Sequence, residues 1–232
     1  MYAKYFKRLL DLLLSVSALL VLSPLLLVLT VAGAIGMKGN PFFSQPRPGK
    51  KDKNGKEQIF RLLKFRTMTN ARDKDGKLLP DAQRLSRYGA FLRSTSLDEL
   101  PSLLNIAAGH LSIVGPRPQL VRDMTFMTPQ QRRRHDVRPG LTGLAQVNGR
   151  NNITWEKKFE YDLAYIDGGI TLLGDLKIIL QTVGKVLKRS DTVREGTVSD
   201  MDFGDWLLTQ GSISQEAYDA HQTEAKELLQ VR

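Results

Sequence analysis

At 232 residues the chain has room for one good-sized domain with an appendage, and it can bury a core without covalent staples. It contains no cysteine, which excludes a disulfide scaffold, thiolate metal sites, a cysteine nucleophile and iron–sulfur chemistry. The 34 basic and 24 acidic residues leave a net charge of +10, so an anionic partner is expected: nucleic acid, an anionic membrane surface or a phosphorylated substrate. A mean hydropathy of −0.25 excludes a polytopic membrane protein. The charge is uneven. Residues 191–232 carry nine acids and three bases, whereas residues 1–190 carry 31 bases and 15 acids, so the anionic partner belongs to the first part of the chain.

The first element is an apolar run. No charge falls between Leu12 and Met37. A helix of that length measures roughly 39 Å, against about 30 Å for a bilayer core. Ser23-Pro24 interrupts it midway. Proline removes a donor and clashes with the carbonyl four residues back, so a kink is expected, with the Ser23 hydroxyl as a partner for the freed backbone. Both flanks are basic: Lys4, Lys7 and Arg8 before, Lys38, Arg47, Lys50, Lys51, Lys53 and Lys56 after. Basic flanks stay in the cytoplasm, and a kinked helix that enters and leaves on one face satisfies that. Residues 1–37 are therefore read as a re-entrant membrane helix kinked at Ser23-Pro24. A signal anchor and a cleaved signal peptide ending near Ala32-Gly33-Ala34 are the alternatives, the latter with an apolar run longer than usual.

Residues 38–60 are turn-rich, and Phe42–Gln45 with Gln58–Phe65 predict a short β-hairpin. A basic helix is expected from Asp81 to Leu92, with Leu85, Tyr88, Phe91 and Leu92 at helical spacing; it either lies on a membrane surface or packs in the ordinary way. Further helices are expected at 97–108, 129–137, 155–166 and 171–188, with Gly-rich irregular chain at 140–150. The last carries Leu172, Leu173, Leu176, Ile179, Leu180, Val183, Val186 and Leu187 on an apolar side. The acidic tail reads as a helical hairpin with a turn at Gly211-Ser212 and an N-cap at Ser214.

Nucleotide-binding glycine motifs and HExxH are absent, and His110, His135 and His221 are scattered. The stretch Arg93 to Pro101 is richer. Asp98 and Glu99 are adjacent carboxylates at a helix start, with Ser96 or Asp98 as the cap. The positive end of a helix keeps carboxylates ionised and attracts phosphate. A carboxylate beside a bound phosphate is either a metal ligand or a nucleophile; the bland alternative is a capping box. Arg117, locked between Pro116 and Pro118, is pre-oriented to grip phosphate or to make a rigid turn. Lys64-Phe65-Arg66, Arg138-Pro139-Gly140 and Asn148-Gly149-Arg150 add cations on tight backbone.

Six motifs in order give a resemblance that runs from about Tyr5 to Ser190. They are the Lys-Arg…Asp start with Ser23-Pro24, Gln45-Pro46-Arg47-Pro48-Gly49, Lys64-Phe65-Arg66-Thr67-Met68, Leu97-Asp98-Glu99-Leu100-Pro101, Gly115-Pro116-Arg117-Pro118 and Arg138-Pro139-Gly140-Leu141-Thr142-Gly143. The chain resembles the bacterial sugar transferases known as monotopic phosphoglycosyl transferases, in their small form, like the initiating enzymes of bacterial N-glycan assembly. The resemblance implies transfer of a phosphosugar from a UDP-sugar to undecaprenyl phosphate at the cytoplasmic face of the inner membrane, with Mg²⁺ and release of UMP. It implies that Asp98 is the covalent nucleophile and Glu99 is tied to the metal. It implies that Arg93 and Arg117 hold phosphates, that Lys64 and Arg150 line the site, and that Asp175 is a further site acid.

The expected architecture is α+β and mostly helical. It comprises the membrane helix (1–37), a catalytic domain (38–190) and an acidic helical-hairpin extension (191–232), with amphipathic helices on the surface. The extension falls outside the family core; it dimerises, binds a partner protein, caps the basic domain or is a solvated tail. An N-acetylated UDP-sugar is the expected donor, and nucleic acid is not an expected partner. The competing reading is a non-catalytic adaptor that binds anionic lipid, for which Asp98-Glu99 among arginines has no use.

Overall fold

The structure is a computed structural model that describes residues 1–149, 153–188 and 201–230. Arg150 and the 191–200 stretch lie outside the described residues. The chain opens with a π-helical turn, Tyr2–Phe6, that runs into α1 (Lys7–Val21) and then α2 (Ser23–Gly36). Among the described residues no single helix is long and apolar enough to cross a membrane. The pair together is, by length and composition, and it is bent by 66°. The bend has a local cause. Pro24 cannot donate to the Leu20 carbonyl, and the Ser23 hydroxyl donates to that oxygen instead at 2.8 Å. Pro24 thereby falls in the first turn of α2, where a missing donor costs nothing.

The bent pair meets the rest of the chain through a few polar anchors and through Leu19, Leu22, Leu26 and Leu29, which pack on the hydrophobic core, and it leaves many other apolar residues exposed. Buried Asp11 accepts from the Ser112 hydroxyl at 2.7 Å and the Ile113 amide at 3.0 Å. Arg8 donates to the carbonyls of Ile106 and Ala107, the negative end of the 102–108 helix. Lys7 and Arg8, part of the basic flank read from sequence, also act as anchors to the rest of the chain. Leu13, Leu20, Val21, Leu27, Val28 and Ile35 face outward.

Strands β1 (Phe42–Lys51) and β2 (Glu57–Phe65) form the expected hairpin, antiparallel with Phe42 opposite Phe65 and Phe43 opposite Lys64. Pro46 and Pro48 sit in β1, an edge strand of this two-stranded sheet, where a missing donor is tolerated. The single helix expected over 81–92 is two: α3 (Asp81–Arg84) and α4 (Arg87–Thr95). Leu85 turns extended and bridges Met68, and Ser86 starts a new helix by accepting the Gly89 amide at 2.9 Å. Helix α4 packs, with Leu92 buried and the Tyr88 hydroxyl on the Leu29 carbonyl, and presents Phe91 outward.

The continuous helix expected over 97–108 is also divided. Leu97–Glu99 is a 3₁₀ turn, and α5 (Ser102–Ala108) starts after Pro101. Ser96 has φ +56° and neither it nor Pro101 makes a side-chain cap, so the capping box does not form. Beyond α5, β3 (Ser112–Val114) pairs in parallel with β4 (Gly140–Thr142), a pairing absent from the sequence reading. Helix α6 (Val121–Thr125) and a 3₁₀ turn at Gln131–Asp136 lie between those strands; α7 (Leu144–Val147), α8 (Trp155–Asp167), α9 (Leu172–Leu187), α10 (Phe203–Thr209) and α11 (Gln215–Gln230) follow β4.

Phe60, Leu62, Leu103, Ile106 and Leu111 pack beneath α1. Phe126, Trp155, Phe159 and Phe203 form an aromatic cluster that joins α8 to the C-terminal helices. Helix α9 turns Ile178 inward and leaves Leu173 and Leu180 exposed. The molecule is α+β, mostly helical, with one short hairpin.

Candidate active site

The site is set by how α5 grips β2. Asn105 donates to the Arg61 carbonyl at 2.8 Å and accepts the Leu63 amide at 2.9 Å; the Ser102 hydroxyl donates to the Leu63 carbonyl at 2.7 Å. These bonds satisfy the edge of β2, which would otherwise bury unpaired groups. They also fix the 97–99 turn opposite Lys64. The Lys64 ammonium donates to Glu99 Oε1 at 2.6 Å, and Arg117 donates to the same oxygen at 2.9 Å.

Arg117 is held by its own loop. A Cβ on Gly140 would lie 2.1 Å from the Gly115 amide nitrogen, so glycine allows the loop to run against β4. The Arg117 carbonyl accepts from Arg134 at 2.7 Å, and the Pro118 carbonyl accepts from Arg47 at 3.1 Å. Arg134 is in turn paired with Asp162 at 2.6 Å, both almost fully buried. Arg93, near the end of α4, donates through Nε to the Thr67 hydroxyl at 3.2 Å.

The two carboxylates are driven apart. Burial raises Glu99, but Arg117 and Lys64 outweigh it and hold the group well below the ordinary carboxylate range. Asp98 moves the other way: burial, then the Glu99 charge, raise it, with Lys64, Arg117 and Arg93 pulling back. Glu99 is thus the permanently ionised partner of two cations. Asp98 is the more basic carboxylate, and it makes no ion pair with a neighbouring cation among the described residues. Such a separation divides the roles of two neighbouring acids.

Both acids open into a cavity of about 920 Å³ whose wall also holds Lys64, Arg93 and Arg117. Five of the seven sequence candidates for catalysis and binding therefore converge. Arg150 lies outside the described residues. Asp175 is not on the cavity wall: it is buried beneath the N-terminus, where its carboxylate accepts from Tyr2, Lys7 and Tyr165. Ser23 and Pro24 form the bend. Among the cavity residues that the sequence reading left unassigned, Arg47 stands out. Arg47 lines the cavity with its buried Nε lacking a partner, and burial pulls its pKa down to about 10, Arg117 adding to the effect. The signal existed, since Pro46-Arg47-Pro48 repeats the Pro-Arg-Pro setting that singled out Arg117.

Among the described residues no three of His, Asp or Glu gather as a metal cage. Two carboxylates on one cavity fit Mg²⁺, which binds through one or two carboxylates, waters and substrate phosphates. Asp98 and Glu99 would be the residues to hold such an ion.

Comparison with known proteins bears on this geometry. The profile described as bacterial sugar transferase matches residues 2–189. A protein named uncharacterized sugar transferase EpsL from Bacillus subtilis (strain 168) is 50% identical over 182 residues, 78% of this chain and 87% of that protein. The UDP-glucose:undecaprenyl-phosphate glucose-1-phosphate transferase of Klebsiella pneumoniae is 42% identical over 191 residues, 78% of this chain but 40% of that longer protein. The exopolysaccharide production protein PSS of Rhizobium leguminosarum bv. phaseoli is 37% identical over 197 residues, 79% of this chain and 96% of that protein.

Proposed function

The chain belongs to the bacterial sugar transferase family, and on that premise we propose that it moves a sugar phosphate from a UDP-sugar to undecaprenyl phosphate through a covalent adduct on Asp98. The observation that carries the reading is the placement of Asp98. It is a half-buried carboxylate with a raised pKa beside an ionised Glu99, in a cavity whose wall is lined by Lys64, Arg93, Arg117 and Arg47.

A carboxylate oxygen of Asp98 attacks the phosphorus that bears the sugar. The bond from that phosphorus to the bridging oxygen breaks, and UMP leaves with the electron pair. A phosphate oxygen of the lipid then attacks the same phosphorus, the sugar pyrophosphate forms on the lipid, and Asp98 returns as a carboxylate. Anionic nucleophile and anionic electrophile repel one another. The arginines and Lys64 offset that repulsion where charge accumulates. Asp98 and Glu99 would hold Mg²⁺, which would supply further charge neutralisation on the phosphate oxygens when bound. Glu99 keeps Lys64 and Arg117 in place between turnovers.

The bent α1–α2 pair is a re-entrant anchor. One face of it packs on the core, many of its other apolar residues face outward, and Arg8 and Asp11 are bonded to the rest of the chain, so it enters and leaves on the cytoplasmic side and holds the cavity at headgroup level. UDP-glucose, the donor named for the Klebsiella relative, is the one to test first, ahead of N-acetylated sugars. The product starts a membrane-bound polysaccharide or glycoconjugate.

The test uses the full chain in detergent with Mg²⁺ and UDP-glucose labelled in the hexose, without lipid. The expected result is UMP release equal to the enzyme present and a label on Asp98. An Asp98→Asn variant that turns over normally with lipid acceptor overturns the reading.

A further inference from the structure

The family match ends at residue 189, yet the cavity wall does not. Met201 and Asp202 line the same cavity as Asp98. They are held there by the C-terminal helices. The Phe203 amide donates to Asp123 at 2.9 Å, and the Trp155 indole donates to the Met201 carbonyl at 3.2 Å. The Phe203 ring packs on Trp155 and Phe159 with centroids 5.1 Å from each. Helix α11 clamps the other side, with Tyr218 and His221 against Phe126. The extension is thus docked on its own chain, and Met201 and Asp202 face the cavity.

Asp202 ion-pairs with Arg122, which also lines the cavity, and both keep exposed surface there. Asp123 beside them is spent on the amides of Leu120 and Phe203. A carboxylate repels the donor's phosphates. It matches the other polar groups such a donor carries, since an ionised carboxylate accepts hydrogen bonds from hydroxyls. The ion pair to Arg122 restricts how Asp202 is aimed.

Resting on the UDP-sugar reading above, we propose that Asp202, oriented by Arg122, accepts hydrogen bonds from hydroxyl groups of the donor, so that the C-terminal hairpin completes the donor site. The hydroxyls belong to the ribose or to the hexose. Arg122 is a positioning residue.

The experiment measures UMP release against UDP-glucose concentration with undecaprenyl phosphate, for the full chain and for Asp202→Ala and Asp202→Asn. Loss of a hydrogen bond to a charged group predicts a KM for UDP-glucose raised about tenfold in Asp202→Ala, with kcat changed less than about twofold. Asn retains an acceptor and recovers part of the KM. Inhibition by UMP separates the sources: a Ki that rises with KM assigns the ribose, and an unchanged Ki assigns the hexose. An unchanged KM in Asp202→Ala overturns the inference, as does a raised KM that Asp202→Asn does not improve. Adduct formation on Asp98 with an unchanged KM at Asp202 sinks this inference alone. Normal turnover by Asp98→Asn sinks the reaction reading instead.

Discussion

Glu99, half-buried, and Asp175, buried, are both carboxylates that contact cations, and both were read from sequence as site acids. Their surroundings differ in one respect. Asp175 is surrounded by donors of its own chain, taking Tyr2, Lys7 and Tyr165, and it lines no part of the large cavity. Glu99 places Lys64 and Arg117 on a single oxygen and shares a cavity with Asp98. The first cluster is closed and ties the N-terminal helix to α8 and α9. The second is open and leaves charge facing the cavity. Whether a buried acid anchors or reacts is decided by who supplies its partners.

The largest effect expected from this contrast is at the open cluster. Asp98→Asn should lower turnover by about a thousandfold or more while the thermal midpoint stays near that of the parent, as read by UMP release and a melting curve. A comparable loss of stability in that variant would erase the distinction. At the closed cluster the signature reverses. Asp175→Ala strands a buried lysine and two hydroxyls, and denaturant titration should show a loss of about 3–5 kcal/mol. Activity should fall only as the folded fraction does.

The pH profile sharpens the comparison. Asp98 reacts as a carboxylate, and burial with the Glu99 charge raises its pKa. The acidic limb of turnover should therefore lie above the ordinary aspartate value, with activity rising as pH increases through it. Lys64 pulls Asp98 down, so Lys64→Met should move that limb further up.

A smaller effect is expected at a second closed cluster. Glu57 accepts from Arg132 at 2.6 and 2.9 Å and contacts His135. Burial pulls His135 from 6.5 down to about 4. Between those values the unfolded chain binds a proton that the folded chain refuses, so stability should fall as pH drops from about 6.5 to about 4. His135→Gln should remove that part of the slope in denaturant midpoints.

The reach of the sequence is visible in particular elements. Phe42–Phe65 was legible as a hairpin because alternating apolar residues flank a turn. The α4 boundary was missed because Leu85, Tyr88 and Phe91 keep helical spacing across Ser86, and only the bridge of Leu85 to Met68 stops the helix. The β3–β4 pair was missed because three residues show no period and parallel strands pair at long range. The contacts of Asp175 were not legible because its partners Tyr2 and Lys7 lie more than 160 residues away. Arg47 was passed over although its setting matched Arg117's.

The amino-acid order by itself determined the bend, since Pro24 cannot bond Leu20 in any fold, and it determined the adjacency of Asp98 to Glu99 and the proline-locked settings of Arg47 and Arg117, since those are covalent neighbours. It also determined the overall excess of positive charge. Tertiary structure alone decided which of these groups meet. Ser102 and Asn105 must dock on β2 before Lys64 reaches Glu99, and Phe203 must enter the Trp155 cluster before Asp202 reaches the cavity. Both are long-range packing events, and local sequence holds no record of where two distant surfaces touch.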